Sequence, residues 1–147
     1  MTKIYLAGPF FDEEQIDRIS RMEDALTANQ KVATFFSPRK EEFKDLVMGT
    51  PEWAAAVFDI DRTNIDNADV VTAVIDYEGT HVDPGTAWEI GYANAIGKPV
   101  ILVKEKPAGS VNLMMGVPAH AVLTDVADIA TYDFDTMPVS SWQGDMF

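Results

Sequence analysis

The order of apolar and polar residues along the chain predicts strands that alternate with helices. Short apolar runs rich in β-branched residues are typical of buried strands, and longer stretches with apolar residues at helical spacing predict helices. The predicted strands are Lys3 to Gly8, Val32 to Phe36, Asp69 to Asp76, Pro99 to Val103 and Ala121 to Thr124. Helices are predicted from Asp12 to about Asn29, from Pro51, from Asp83 to about Gly97, and near Val126 to Tyr132.

Helical spacing also predicts which faces of the first two helices are buried. In the first helix we expect a core stripe formed by Ile16, Ile19, Met22 or Glu23, and Leu26. In the second, the spacing of its apolar residues predicts a packing face formed by Trp53, Val57 and Ile60. Asp12 and Asp83 are good N-cap residues, and Pro84 suits a first helical position, where its missing N–H costs nothing.

Regular alternation of strand and helix predicts an α/β protein with a five-stranded parallel sheet covered on both faces. The 147 residues fit one domain, residues 1–147. Ligands of such sheets bind at the carboxyl ends of the strands. We therefore expect the loops after Ala7 and Phe36, and the one between Ile75 and Glu89, to converge on the site. The polar connection from Ser37 to Thr50 is expected to form its lid or rim.

Charge and composition limit the classes of ligand that we expect the chain to bind. The chain carries 24 acidic and 11 basic residues, a net charge of −13, which would repel a nucleic acid polymer. It has no cysteine and only two scattered histidines, so we expect no metal. No apolar run approaches the roughly 20 residues that span a bilayer, and the N-terminus does not have the pattern of a signal peptide. We expect a cytoplasmic protein without membrane contact that binds neutral small molecules.

The loop after the first strand, Gly8-Pro9-Phe10-Phe11, is neither a dinucleotide fingerprint nor a P-loop. The loop therefore indicates neither a nicotinamide cofactor nor a P-loop nucleotide, and we expect no cofactor. Phe10 and Phe11 have two open interpretations. They could stack on a flat ring at the ligand end of the sheet, or they could belong to the core of the first turn.

Carboxylates supply the candidate chemistry. The predicted topology could gather Asp61, Asp76, Asp83 and Glu89 at one site, although any single one could have a capping or solvated role. Glu89 stands out because its neighbours at helical spacing are small or aromatic, as in the wall of a pocket. Paired carboxylates without metal, thiol or histidine are typical of glycosyl transfer. An aromatic base as leaving group would suit Phe10 and Phe11.

Several segments together resemble the nucleoside 2-deoxyribosyltransferases. They are Ile4 to Gly8, Asp61 to Ile65 followed by Ala68-Asp69, Asp83 to Ala93, Val111 to Met114, and the aromatic C-terminal Phe147. The resemblance implies a flavodoxin-like three-layer fold and a retaining double displacement. In that reaction a 2-deoxyribosyl group passes between purine and/or pyrimidine bases through an ester on the enzyme, and no cofactor takes part.

The resemblance also implies roles for individual residues. Glu89 matches the nucleophile, Tyr5 the residue that orients it, and Asp61 and Asp83 the acids that bind the base and assist its departure. Asn112 and the carboxylate of Phe147 match groups that reach a neighbouring subunit's site, and Met114 matches a residue near the reacting centre. Glu42 stands where a glutamine facing the base is expected, which leaves base preference open. The family forms homo-oligomers, hexamers or related assemblies, with shared sites.

Two other functions remain as alternatives. A 2′-deoxynucleoside 5′-monophosphate N-glycosidase on the same fold would need serines, backbone donors or basic groups around the phosphate, which the first loop does not offer. A non-catalytic receiver-like module would place paired acids and Mg²⁺ directly after the first strand, where this chain has Gly8 to Phe11.

Overall fold

The structure is a computed structural model that describes residues 1–147. Its strands are β1 Thr2–Ala7, β2 Val32–Phe36, β3 Val70–Val74, β4 Val100–Val103 and β5 Ala121–Leu123. Its α-helices are α1 Glu13–Ala28, α2 Pro51–Asn67, α3 Pro84–Ala95 and α4 Leu113–Gly116, and short 3₁₀ helices occupy Pro38–Lys40 and Val126–Ala130. All five predicted strands are present.

The five strands form one parallel sheet in the order β2-β1-β3-β4-β5. This is the strand order of flavodoxin-like folds, and its switch point lies between β1 and β3. The predicted fold class is therefore confirmed. The switch point matters because the loops that follow β1 and β3 leave the sheet on either side of a crevice, where a ligand can bind.

Side chains of β1 alternate between the two faces of the sheet. Ile4 and Leu6 pack in a cluster with α1, whereas Tyr5 and Ala7 pack in a second cluster with residues of α2 and α3. This period-two alternation is a property of any strand. Its consequence is that Tyr5, although fully buried, lies on the same side of the sheet as α3.

Helix α1 begins where predicted, since the Asp12 side chain accepts a hydrogen bond from the Gln15 N–H at 2.8 Å. The expected core position of Ile16 is wrong, because that side chain is 40% exposed. Gln15 is buried in its place, and its Oε1 accepts a hydrogen bond from the Phe11 N–H at 2.8 Å. The remaining expected core positions are buried, with Met22 and Glu23 both inside: Ile19, Met22, Glu23 and Leu26.

Helix α2 begins at Pro51, as expected, but its apolar face has a different use. Trp53, Val57 and Ile60 are only partly buried and line an open cavity instead of packing in the core. The only buried residue of this helix is Ile65. The prediction of a packing face was wrong because helical spacing identifies an apolar face without specifying what lies against it.

Two local elements also differ from expectation. Helix α4, Leu113–Gly116, was not predicted, since four residues are too few to produce a periodic pattern. The expected last helix is present as the 3₁₀ helix Val126–Ala130. None of the helices combines the length and apolar character needed to cross a membrane.

Candidate active site

A cavity of about 790 Å³ opens at the carboxyl ends of the strands. The three loops that were expected to converge all contribute to it, through Gly8 to Phe11, the segment after Phe36, and the start of α3. This volume falls within the range of small-molecule sites. The cavity contains Asp61, Asp83 and Glu89, three of the four carboxylates considered from the sequence.

Glu89 lines the cavity, and Tyr5 is fully buried behind it. The Tyr5 hydroxyl donates a hydrogen bond to the Glu89 carboxylate, and the Tyr5 ring stacks on Phe36 with centroids 5.7 Å apart. Burial raises the pKa of Glu89 to about 7, the hydrogen bond from Tyr5 opposes this rise, and the charges of Asp61 and Asp83 add to it. Burial and the charge of Glu89 raise the pKa of Tyr5, so the phenol remains a donor.

Asp61 is the second carboxylate with a perturbed pKa. It lies on α2, partly buried, and its carboxylate has no hydrogen-bond donor in the chain. Burial raises its pKa to about 6, and the negative charge of Glu41 contributes to the rise. A carboxyl group in this state is able to release and recover a proton near neutral pH, as a general acid requires.

Asp83 caps α3 and also faces the cavity. Its Oδ2 accepts hydrogen bonds from the Thr86 N–H at 2.8 Å and the Thr86 hydroxyl at 2.9 Å. Both bonds use the same oxygen, so Oδ1 is left without a partner in the chain. The capping role predicted from sequence is thus confirmed, and the second oxygen remains able to bind a ligand.

Asp76 does not join the other acids, and its expected convergence with them is wrong. It is buried at the end of β3 on a different loop cluster, where it accepts hydrogen bonds from the N–H groups of Glu105 at 2.6 Å and Lys106 at 3.1 Å. Arg18 Nε and Lys104 Nζ each lie 3.8 Å from its carboxylate. Asp76 therefore has its charge neutralised within the protein and is absent from the cavity lining.

Three further predicted site residues line the cavity. Phe10 and Phe11 stack with centroids 6.1 Å apart, and both border the cavity together with Glu42. Phe10 also packs against the core, while Phe11 is 70% exposed. The two interpretations of this pair therefore apply to different residues: Phe10 belongs partly to the core, and Phe11 is exposed at the border of the cavity.

Asn112, Met114 and Phe147 lie together outside the cavity of their own chain. Asn112 caps α4 by accepting a hydrogen bond from the Met114 N–H at 2.9 Å, and Phe147 pairs by backbone hydrogen bonds with Val111 and Leu113. Met114 is 75% exposed and Phe147 48% exposed. The chain therefore presents these residues on its surface, where a neighbouring molecule could receive them.

Several cavity residues were not identified from sequence as site residues. The segment after Phe36 supplies Pro38, Arg39, Glu41, Phe43, Lys44, Leu46 and Met48 in addition to Glu42, and α2 supplies Trp53, Val57 and Ile60. The segment had been expected to form a rim, but its irregular backbone carries no periodicity that would show which side chains turn inward. The α2 residues were detected by their spacing and assigned to the core.

The charge of the cavity is negative. Five acidic side chains line it against two basic ones: Glu41, Glu42, Asp61, Asp83 and Glu89 against Arg39 and Lys44. One of those bases, Arg39, is already paired with Glu23 at 2.5 Å. No group of three or more histidine, cysteine, aspartate or glutamate side chains has an arrangement that could hold a metal ion.

Comparisons with known proteins agree with this geometry. Residues 4–128 match the sequence model of the family described as nucleoside 2-deoxyribosyltransferase. A nucleoside deoxyribosyltransferase of Limosilactobacillus fermentum is 33% identical, with 91% of this chain and 87% of the relative covered. A 2-deoxyribosyltransferase of Bacillus psychrosaccharolyticus is structurally similar, with a TM-score of 0.84, 38% identity, and 95% and 98% of the two chains covered.

A more distant structure shares only the fold. It is a CMP N-glycosidase of Clostridium botulinum, with a TM-score of 0.54, 21% identity, and coverage of 88% of this chain and 96% of that one. The family match, in contrast, extends over most of the residues that build the sheet and the cavity. The chain belongs to the nucleoside 2-deoxyribosyltransferase family.

Proposed function

We propose that the protein transfers the 2-deoxyribosyl group between purine and/or pyrimidine bases through a covalent ester on Glu89. The observation that carries the proposal is that Glu89 lines a cavity together with Asp61 and Asp83 and is held there by a hydrogen bond from the buried Tyr5. Family membership supports the same reaction. The substrates are 2′-deoxynucleosides and free nucleobases, and no cofactor is required.

In the first step, a carboxylate oxygen of Glu89 attacks C1′ of the deoxynucleoside. The bond from C1′ to the base nitrogen breaks, and its electron pair leaves with the base, which receives a proton from Asp61. Partial burial keeps Asp61 protonated to a higher pH than an ordinary aspartate, which suits this role. Asp83 binds the base through its unused Oδ1, and Tyr5 holds the attacking carboxylate in position.

In the second step, a ring nitrogen of another base attacks C1′ of the ester. The bond between C1′ and Glu89 breaks, its electron pair returns to the carboxylate, and the proton of the incoming base passes to Asp61. Two displacements at C1′ retain the configuration of the sugar. The ester on Glu89 divides one difficult displacement into two easier ones. Asp61 serves both steps, because it gives a proton to the leaving base and takes one from the entering base.

The negative cavity favours a neutral nucleoside over a 5′-monophosphate. Its acids outnumber its bases, and Arg39 already pairs with Glu23, so few donors remain for a phosphate. Phe11 offers its exposed ring face for stacking, and Glu42 lies where it could contact the base. These contacts are part of the proposal and would bind the base rather than the sugar.

The decisive experiment mixes a deoxynucleoside with a different free base and separates the products by chromatography. We expect a new deoxynucleoside with retained configuration, and quenched protein should carry one deoxypentosyl group on Glu89 by mass spectrometry. Parallel incubations without acceptor base, and with a 5′-monophosphate, reveal hydrolysis. Turnover without the adduct and with inverted products would overturn the mechanism, and absence of exchange would overturn the activity.

Glu89→Ala should abolish exchange while the fold remains intact by circular dichroism. Its matched control is Glu52→Ala, which removes an exposed glutamate at the start of α2. Near-wild-type exchange by the Glu89 variant would remove that residue from the role of nucleophile.

We further propose a homo-oligomer, a hexamer or a related assembly, in which Asn112 and the Phe147 carboxylate reach a neighbour's site and hold the sugar 5′-hydroxyl. Met114 would pack near the reacting centre. The position of all three residues outside the cavity of their own chain supports this arrangement. The test mixes Glu89→Ala chains with Asn112→Ala chains after dissociation and reassembly. Shared sites predict recovery of activity, because mixed assemblies contain sites with both residues intact; no recovery would contradict sharing.

A further inference from the structure

Residues 37–50, here called the rim segment, form a large part of the cavity wall but make few hydrogen bonds to the rest of the chain. Eight of the 17 lining residues come from this segment. The backbone hydrogen bonds within it join residues of the segment to each other, such as Lys40 N–H to the Ser37 carbonyl and Leu46 N–H to the Phe43 carbonyl. It contains no strand or α-helix that would tie it to the sheet.

Glu23 is the residue to which the rim segment is attached. Apart from the α2 cap at Thr50, every hydrogen bond from the segment to the rest of the chain ends on this carboxylate. The Ser37 hydroxyl donates to it at 2.7 Å, and Arg39 donates through Nε at 3.2 Å and Nη2 at 2.5 Å. Lys40 Nζ lies 3.9 Å away.

The placement of Glu23 makes this attachment strong. Glu23 is only 3% exposed, on the core side of α1, where an ordinary amphipathic helix would bury an apolar residue. A buried carboxylate is stable only when it is paired and hydrogen-bonded, and two-nitrogen pairing with arginine has a defined geometry. The buried charge therefore holds the first residues of the rim segment in one arrangement. Because Arg39 both pairs with Glu23 and lines the cavity, this pairing also fixes part of the cavity wall.

We propose that Glu23 is a positioning residue that holds the rim segment in place along the cavity and so limits the access of water to the sugar carbon bound to Glu89. The proposal rests on the function proposed above. During the lifetime of the ester, water could add its oxygen to C1′, break the bond to Glu89, return the electron pair to that carboxylate and release its proton to solvent. The product would be free 2-deoxyribose. A rim segment held in place favours the acceptor base over water at this step.

The test compares wild type with Glu23→Gln, which preserves size and can still accept from Ser37 but loses the charge that holds Arg39. We expect the ratio of hydrolysis to transfer to rise. We also expect KM for the deoxynucleoside to rise by up to about tenfold, with a smaller change in kcat. One charge-assisted hydrogen bond inside the protein is lost, and it can lower the population of the ordered rim segment by about that factor. A smaller fraction of folded enzyme cannot produce the change in ratio, because global unfolding lowers both rates equally.

Two further variants make the test specific. Asp17→Asn is the matched control, because Asp17 also forms an ion pair on α1, with Arg21 at 2.9 Å, but on the exposed side. It should leave the ratio unchanged. Arg39→Gln should reproduce the Glu23→Gln effect, and the double variant should add little, since each change breaks the same contact. If Glu23→Gln does not fold, Arg39→Gln carries the test.

Hydrogen exchange provides a readout that does not depend on the proposed activity. In Glu23→Gln, the hydrogen-bonded amides of Lys40, Glu41 and Leu46 should exchange faster, whereas those of β1 and β3 should keep wild-type rates. Unchanged exchange in that segment, or an unchanged ratio of hydrolysis to transfer, would overturn the positioning role. If wild type shows no sugar transfer, the proposed function fails. The hydrogen-exchange measurement then still decides whether Glu23 holds the rim segment.

Discussion

Replacing Glu89 by glutamine should make the protein more stable at neutral and alkaline pH while removing its activity. The reason is that burial disfavours the charged form of Glu89 and raises its pKa from the ordinary value of 4.5 to about 7. Glutamine has nearly the same size, can still accept the hydrogen bond from Tyr5, and has no charge. The variant therefore measures how much the buried charge of Glu89 lowers the free energy of unfolding.

The direction of the pH dependence follows from where each state loses its proton. In the unfolded chain Glu89 ionises near pH 4.5, whereas in the folded protein it retains its proton to about pH 7. Ionisation therefore favours the unfolded state across this window, and stability from this group falls as pH rises. Relative to wild type, the glutamine variant should gain stability between these two values and show no further gain above about pH 7.

The pKa difference gives the size of the effect. From 4.5 to about 7, the upper limit is about 3 kcal/mol, at about 1.4 kcal/mol for each tenfold change in proton affinity. Glu89 remains partly accessible, so solvent reduces this value. We expect the variant to gain about 1–2 kcal/mol over wild type on going from about pH 4.5 to about pH 8.

Urea denaturation at a fixed protein concentration measures the gain, with the fluorescence of the three tryptophans as signal. Glu52→Gln serves as the control at an exposed position and should show a difference from wild type that changes little with pH. A Glu89→Gln advantage that stays constant or shrinks as pH rises would refute the inference that the folded protein destabilises this anion. Loss of base exchange should accompany the gain in stability.

Three other predictions concern activity and folding. The pH profile of kcat/KM should be bell-shaped, because the reaction needs Glu89 ionised and Asp61 protonated. Their pKa values are about 7 and about 6, so the maximum should lie near pH 6.5. A rate that rises steadily to alkaline pH would contradict the assignment of Asp61 as the acid. Extending the chain beyond Phe147 should lower kcat/KM at unchanged thermal stability, since the terminal carboxylate is proposed to bind the 5′-hydroxyl; unchanged kcat/KM would remove that role. Gly8→Ala should destabilise the protein by about 1–3 kcal/mol in urea denaturation. Gly8 has φ +155°, and a Cβ there would lie 2.6 Å from Ile19 Cδ1. Wild-type stability would show that the Ile19 side chain moves aside freely.

Much of the fold could be predicted from the sequence because the signals are local. Each strand is a short apolar run, and the caps at Asp12 and Asp83 depend on contacts over three residues. The alternation of elements then leaves few topologies besides a parallel sheet. The three loops that build the cavity followed from that topology, and Glu89 was noticeable because small and aromatic residues surround a carboxylate on its helix.

The roles of Tyr5, Asp61, Asn112 and Phe147 could not be predicted from local patterns and came from the resemblance to a family. Tyr5 lies in an apolar strand like any core residue, and only the sheet alternation turns its hydroxyl toward Glu89. A hydrogen bond across 84 positions leaves no trace in residue spacing.

The sequence by itself determined where the chain would form strands and helices, and that their loops would meet at one edge of a sheet. Only the tertiary structure decided the use of each face: Gln15 took the core position expected for Ile16, and Trp53 came to line the cavity. It also separated Asp76, neutralised by its own neighbours, from the acids of the cavity. Hydrophobic periodicity depends on residues a few positions apart, whereas burial and charge pairing depend on what packs opposite them.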